Sequence, residues 1–323
     1  MISLRSAAME VDIDDARGAQ IVRLAASGGA NALAWYEWES PAPSDPRFGD
    51  SELDWLAGYR GGWQETFPNA GQTSVVDGVP VAVHGEASTA PWTVEAVTAT
   101  SCTVSVGCRL PLRLRRTMTV DAATATLRLE SEVENIGRVP ASFVWGHHPV
   151  FPAPPGARIE LPDGVRIRPD AERAGGLDID PVAWPHGRLV DGTAEALDVI
   201  PDRPLHRLLY VDGLAEGWAA LRQPSGGVGV AMAWDLDAHP YSWLWIMRGD
   251  PGYPWYGRAD VIGIECQTAW PYDGLSAARN RGMAHRLEPG GTLTSWYTIT
   301  LLPDDDRRVA GVEKDGTIRW GAR

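Results

Sequence analysis

The chain is poor in several residue types, and each shortage closes a class of function. It has three cysteines, Cys102, Cys108 and Cys266, in 323 residues. Cys102 and Cys108 sit six residues apart on one expected strand, about 20 Å, too far to pair with each other. So sparse and odd a set fits a reducing compartment. The only lysine is Lys314, in a charged stretch near the C-terminus. That argues against Schiff-base chemistry and a phosphate-loop lysine. The net charge is -13 with no basic block, so the positive footprint that nucleic-acid binding requires is missing. No run reaches the roughly 18 apolar residues of a membrane span. The opening Met1-Ile2-Ser3-Leu4-Arg5 lacks a basic segment followed by an apolar core, so no secretory signal is expected and a cytoplasmic location is. Phe and Tyr number 4 and 8, yet Trp numbers 15.

What is present is mostly period two. Arg109-Leu110-Pro111-Leu112-Arg113-Leu114-Arg115 and Thr126-Leu127-Arg128-Leu129-Glu130 alternate apolar and charged residues, the pattern of half-buried antiparallel strands. Asp121-Ala122-Ala123 between them suggests a meander. Other strands are expected at 8–13, 20–24, 79–84, 92–96, 101–106, 142–145, 158–161, 165–167, 207–211, 218–221, 228–234, 242–247, 261–266 and 293–301. Helical periodicity is scarce; short turns are expected near 52–56 and 276–279. Many short strands separated by Gly, Pro, Asn and Asp predict an all-β sandwich or barrel. No composition shift marks a linker, so residues 1–303 are expected to form one sandwich domain. The stretch 40–49 reads as a long loop, and 304–323 as a charged tail outside the core.

Four segments place polar groups in apolar surroundings: Gly61 to Gln72, Val83-His84-Gly85-Glu86, Trp145 to Pro152, and Gly263 to Pro271. Glu265 ends the apolar run Val261-Ile262-Gly263-Ile264. Either it is an exposed strand-end carboxylate paired with an Arg, or it is buried. Burial would raise its pKa and suit it to general-base work. His147 and His148 are adjacent, so on a strand they face opposite ways and cannot form a two-ligand metal site on one face. The His-x-His spacing of a strand-borne metal site is absent, so no metal is expected. A lone His near aromatics, such as His84, is also compatible with a structural role. Most tryptophans should fill the core; a few, with polar neighbours, suit a small-molecule pocket.

In order along the chain, these motifs resemble those of the aldose 1-epimerase (galactose mutarotase) superfamily. Gly62-Trp63 through Phe67-Pro68-Asn69-Ala70-Gly71 resembles its Gly-rich, Phe-Pro-containing segment. Val83-His84-Gly85 resembles its His-Gly motif, and His148-Pro149-Val150-Phe151 its His-x-Tyr-Phe motif. Ile264-Glu265-Cys266-Gln267-Thr268 resembles its Glu-x-Gln-Thr segment, and Leu287-Glu288-Pro289-Gly290 its Leu-x-Pro-Gly turn. The resemblance spans nearly the whole chain. It implies a large antiparallel β-supersandwich that interconverts the α and β anomers of a free aldose without a cofactor. It implies Glu265 as base and His148 as acid, with His84 hydrogen-bonding near the ring oxygen or anomeric centre. Gln72 and Gln267, which stand in these motifs, and Trp63 and Trp245, whose indole faces suit stacking on a sugar, are expected to bind the substrate. His147 would face away.

The departures from the pattern matter. Gln72 stands where the family has a sugar-binding Arg, and an amide does not replace a guanidinium fork. Val150 replaces the Tyr. The family's substrate-binding Asp has no clear match; Asp202 and His206 lie nearest. Three alternatives therefore stand. A phosphosugar mutarotase would need convergent arginines, with Arg60, Arg248 and Arg258 available. A non-catalytic carbohydrate-binding protein needs only the pocket. A glycoside hydrolase would need a second carboxylate, with Glu65 and Glu86 as candidates.

Overall fold

A computed structural model describes residues 1–37, 51–224, 226–303 and 307–321. The loop expected at 40–49 lies outside them. Among the described residues, strand accounts for 47% and helix for 6%. Two antiparallel sheets carry the architecture. The larger has ten strands in the spatial order Ile2–Arg5, Met9–Asp14, Gln20–Ala26, Trp63–Thr66, Gly146–Pro152, Asp260–Gln267, Tyr241–Arg248, Leu205–Asp212, Arg166–Pro169 and Val182–Ala183. The second has eight: Arg158–Glu160, Trp218–Arg222, Val230–Trp234, Thr292–Leu301, Thr126–Asn135, Leu112–Val120, Ser101–Gly107 and Thr93–Val97.

Alternation sets which side chains fill the space between the sheets. In Leu112–Val120, Leu112, Leu114, Arg116, Met118 and Val120 turn inward and the residues between them turn outward. Thr126–Asn135 pairs with it in the expected meander, Val133 opposite Leu114 and Leu129 opposite Met118. Arg116 occupies an inward position of the same strand and is fully buried. It is neutralised there by Glu65, whose other carboxylate oxygen accepts the Trp145 indole N–H at 2.6 Å. A charge so placed is tolerated only with such a partner.

The expected tail is a correction. Val309–Val312 and Ile318–Trp320 form a hairpin, and Val309 and Val312 pack on Trp218, Ala220, Ala231 and Ala233 of the eight-stranded sheet. The charges at 304–308 masked a short apolar alternation that follows them. Among the described residues no helix is long and apolar enough to cross a membrane.

Candidate functional site

The outer face of the ten-stranded sheet bears a cleft of about 170 Å³. Its floor is set by register. Gly146 pairs with Gln267 and Val150 with Gly263, which puts His148 across from Glu265. On the other side of that strand, Trp243 pairs with Glu265 and Trp245 with Gly263. Directly opposed residues share a face, so His148, Glu265, Trp243 and Trp245 all point into the cleft, and all four line it.

Glu265 is 1% exposed. Its Oε1 lies 3.5 Å from His148 Nε2, and its Oε2 accepts a 3.0 Å hydrogen bond from Gln267 Nε2. Burial pushes its pKa up to about 8, against the opposing pull of the Gln267 bond. Burial pushes His148 down to about 4. Both shifts favour the uncharged forms. At neutral pH the pair therefore holds one proton, on the carboxyl. Two glycines make room for this arrangement. A Cβ at Gly263 would lie 2.9 Å from Glu265 Oε1, and one at Gly146 would lie 1.9 Å from Gln267 Oε1.

His84 reaches the cleft from a loop rather than a strand. Its φ is 55°, a left-handed conformation that costs about 1–3 kcal/mol in a non-glycine residue. Gly85 follows at φ 71°, where any Cβ would collide with the Phe67 carbonyl. The Gly71 N–H donates to His84 Nδ1 at 3.3 Å. That bond places the ring proton on Nε2, so neutral His84 presents a donor. Its ring sits 5.4 Å from that of His148.

The cleft walls come from elsewhere. The helix Ser51–Ala57 contributes Glu52 and Trp55, and Trp55 packs tilted against His84 and edge-on against His148. Trp255 packs on Trp245. Arg173 stacks over Tyr272, its Cζ 4.6 Å from the ring centroid. His206 Nδ1 lies 2.9 Å from Asp250 Oδ2, and His206 Nε2 takes a long 3.4 Å contact from the Trp245 indole N–H. Indole faces with a few convergent donors and acceptors match the lining of a polyhydroxylated ligand site.

Residues 1–301 match the family described as a domain of unknown function, DUF4432. The chain belongs to that family. No curated protein matches it. Among solved structures, the Slr1438 protein from Synechocystis sp. PCC 6803 is similar at 16% identity and TM-score 0.66, over 93% of this chain and 94% of that one. A galactose mutarotase-like protein from Lactobacillus casei ATCC 334 is similar at 17% identity and TM-score 0.59, over 94% and 100%. Another from Clostridium acetobutylicum is similar at 16% identity and TM-score 0.61, over 93% and 94%. This DUF4432 chain has the galactose mutarotase-like fold.

Of the residues singled out in the sequence, the structure gathers Glu265, His148, His84 and Trp245 at the cleft. The other three lie elsewhere. Trp63 is fully buried on the interior face, against His147 and Tyr297. It pairs with Pro149 while Gln64 pairs with His148, so Trp63 is one residue out of phase with the cleft. Gln72 is exposed away from the cleft, its carbonyl taken by Asn69. Gln267 lies beside Glu265 on the same face of the strand, fully buried, and supports it rather than lining the cavity. Arg173, Glu52, Asp250, Trp55 and Tyr272 were not singled out; they come from a helix and from loops, with no periodic signal to mark them. Neither hydrolase carboxylate is in the cleft. Glu65 is locked to Arg116 in the interior, and Glu86 lies 3.6 Å from Arg109 outside the cavity.

Proposed function

We propose that this protein is an aldose 1-epimerase acting on an uncharged sugar, with Glu265 and His148 as its proton-transfer pair. The observation that carries the reading is the 3.5 Å approach of His148 Nε2 to Glu265 Oε1, with both groups buried at the floor of a tryptophan-walled cleft. Mutarotation needs one group to take the anomeric hydroxyl proton and another to protonate the ring oxygen. The ring then opens to the aldehyde, one bond rotates, and closure on the other face runs the same transfers backwards. A pair holding a single proton meets that need in either direction. At neutral pH burial favours the proton on Glu265. Transfer to His148 gives the carboxylate base and imidazolium acid that the sequence motifs imply. His84, fixed as an Nε2 donor, is placed to hydrogen-bond the sugar beside His148.

The lining supports a neutral ligand over a phosphosugar. Arg248 is engaged by Asp202, Asp260 and the Pro201 carbonyl, and Arg258 by the carbonyls of Trp255 and Pro254. Neither these nor Arg60 lines the cleft. Among the described residues Arg173 alone does, with Glu52 and Asp250 also in the wall, and one guanidinium balanced by two carboxylates is a poor phosphate clamp.

The test is saturation-transfer NMR on a panel of free aldoses with the purified chain. Accelerated exchange between anomers of at least one sugar is expected. Binding without acceleration would replace the reading with a carbohydrate-binding protein; neither binding nor acceleration with any sugar would reject both.

A further inference from the structure

The interior face of the same strands carries a second polar cluster. His147 precedes His148 and Cys266 follows Glu265, so alternation turns both away from the cleft. His239 joins them from the turn between Val230–Trp234 and Tyr241–Arg248. One ligand atom from each of the three lies within 4.8 Å of the others, and all three residues are buried. His239 Nδ1 lies 3.2 Å from the Trp145 carbonyl oxygen, which holds the ring proton there and leaves Nε2 with a bare lone pair. That Nε2 has no hydrogen-bond partner although the residue is 0% exposed. His147 Nδ1 is also unpartnered, 3.8 Å from Glu65 Oε2. An unmet buried polar atom costs about 1–3 kcal/mol, and here two such imidazoles surround a cysteine.

We infer that the sandwich interior binds one soft d10 cation, Zn2+ or Cu+, through His147, His239 and Cys266. Two imidazoles and a thiolate are the donor set such cations favour. Metal–ligand bonds of 2.0–2.3 Å place three ligands about 3.5–4 Å apart, so the cluster contracts by about 1 Å at its widest. Cys266 gives up its thiol proton to solvent as the metal–sulfur bond forms, and both histidines bind as neutral imidazoles. The neighbouring Arg116 is already balanced by Glu65. Cu+ with the thiolate is then neutral, while Zn2+ leaves one positive charge beside the Glu65 carboxylate. The absence of a His-x-His motif hid this set, because its ligands come from three separate segments. The cation would pin the backs of the two strands whose fronts carry His148 and Glu265. The set lies apart from the cleft, on the opposite face of the same strands.

The test uses the full chain, refolded with Zn2+, with Cu+ under reducing conditions, or without metal, and then freed of excess metal by gel filtration. One equivalent retained in at least one metal arm, with a raised Tm and X-ray absorption showing one sulfur and two nitrogen neighbours, is expected. The two arms tell the cations apart. Cys266→Ala should lose the metal and Cys102→Ala, outside the three-residue set, should keep it. A folded wild-type chain that retains no metal in either arm overturns the inference, whether or not Cys266→Ala folds. Stoichiometric binding that survives in folded Cys266→Ala overturns it as well.

Discussion

Gly263 stands beside Glu265 on the same face of its strand, where a single added carbon would press to 2.9 Å from the carboxylate oxygen. The strand interior is a poor place for glycine on propensity alone, so the position is explained by the space the carboxylate fills. Gly263→Ala should fold with a loss of about 1–3 kcal/mol and lower the anomerisation rate at least tenfold by displacing Oε1 from His148. Gly107→Ala, where a Cβ meets nothing within 4 Å, should be within about 0.5 kcal/mol of wild type. Thermal unfolding and exchange NMR on the two variants check the contrast.

Removing either member of the proton-transfer pair should be close to removing both. Glu265→Gln and His148→Asn are each expected to lower kcat/KM by a factor on the order of 10²–10⁴. The double variant should fall little further, since the two groups act as a unit. Polarimetry on the best sugar of the panel provides the rates. Additive losses would show that the two residues act separately.

The pH profile follows from the same pair. The one-proton state persists from about pH 4, where His148 takes a second proton, to about pH 8, where Glu265 loses the first. A plot of log kcat/KM should therefore be flat near neutrality and fall above about pH 8, as the pair's macroscopic pKa values dictate. A profile governed by an unperturbed histidine would instead break near 6.5.

Stability should carry the Glu265 signature in a window free of histidine effects. Its carboxyl is raised from 4.5 to about 8 on folding. The native state thus holds the proton more tightly, and this contribution is full below pH 4.5 and is lost as pH rises to about 8. The buried histidines His84, His147, His148 and His239 are all lowered by burial, so their effects run the other way and end near pH 6.5. Between pH 6.5 and 8 the wild type should lose stability on the order of 2 kcal/mol relative to Glu265→Gln. Urea unfolding of both proteins across that range measures it; parallel curves would mean that Glu265 is ionised throughout.

Much of the scaffold was readable because alternation is a local property. Leu112–Val120 and Thr126–Asn135 announce themselves by their inward leucines, and the two short helices fall at Ser51–Ala57 and Gly274–Asn280. Phase was harder. Trp63 looked as well suited to a sugar as Trp245, and only its pairing with Pro149 turns it inside. Adjacency sets His147 and His148 on opposite faces of their strand; which of the two meets the cleft is implied only by the family resemblance, not by spacing. Arg173 and Asp250 were invisible for a different reason. Each sits in an irregular segment and meets the cleft through the fold of distant strands, and no spacing in the sequence encodes such a meeting.

The hairpin at 309–320 has a practical meaning for anyone trimming this protein. The family match stops at 301, yet Val309 and Val312 cover Trp218 and its small neighbours on the eight-stranded sheet. A chain cut at the family boundary would keep every cleft residue and expose a greasy strip on its back. Such strips invite self-association, so loss of yield in the shortened protein would say nothing about the site on the opposite sheet.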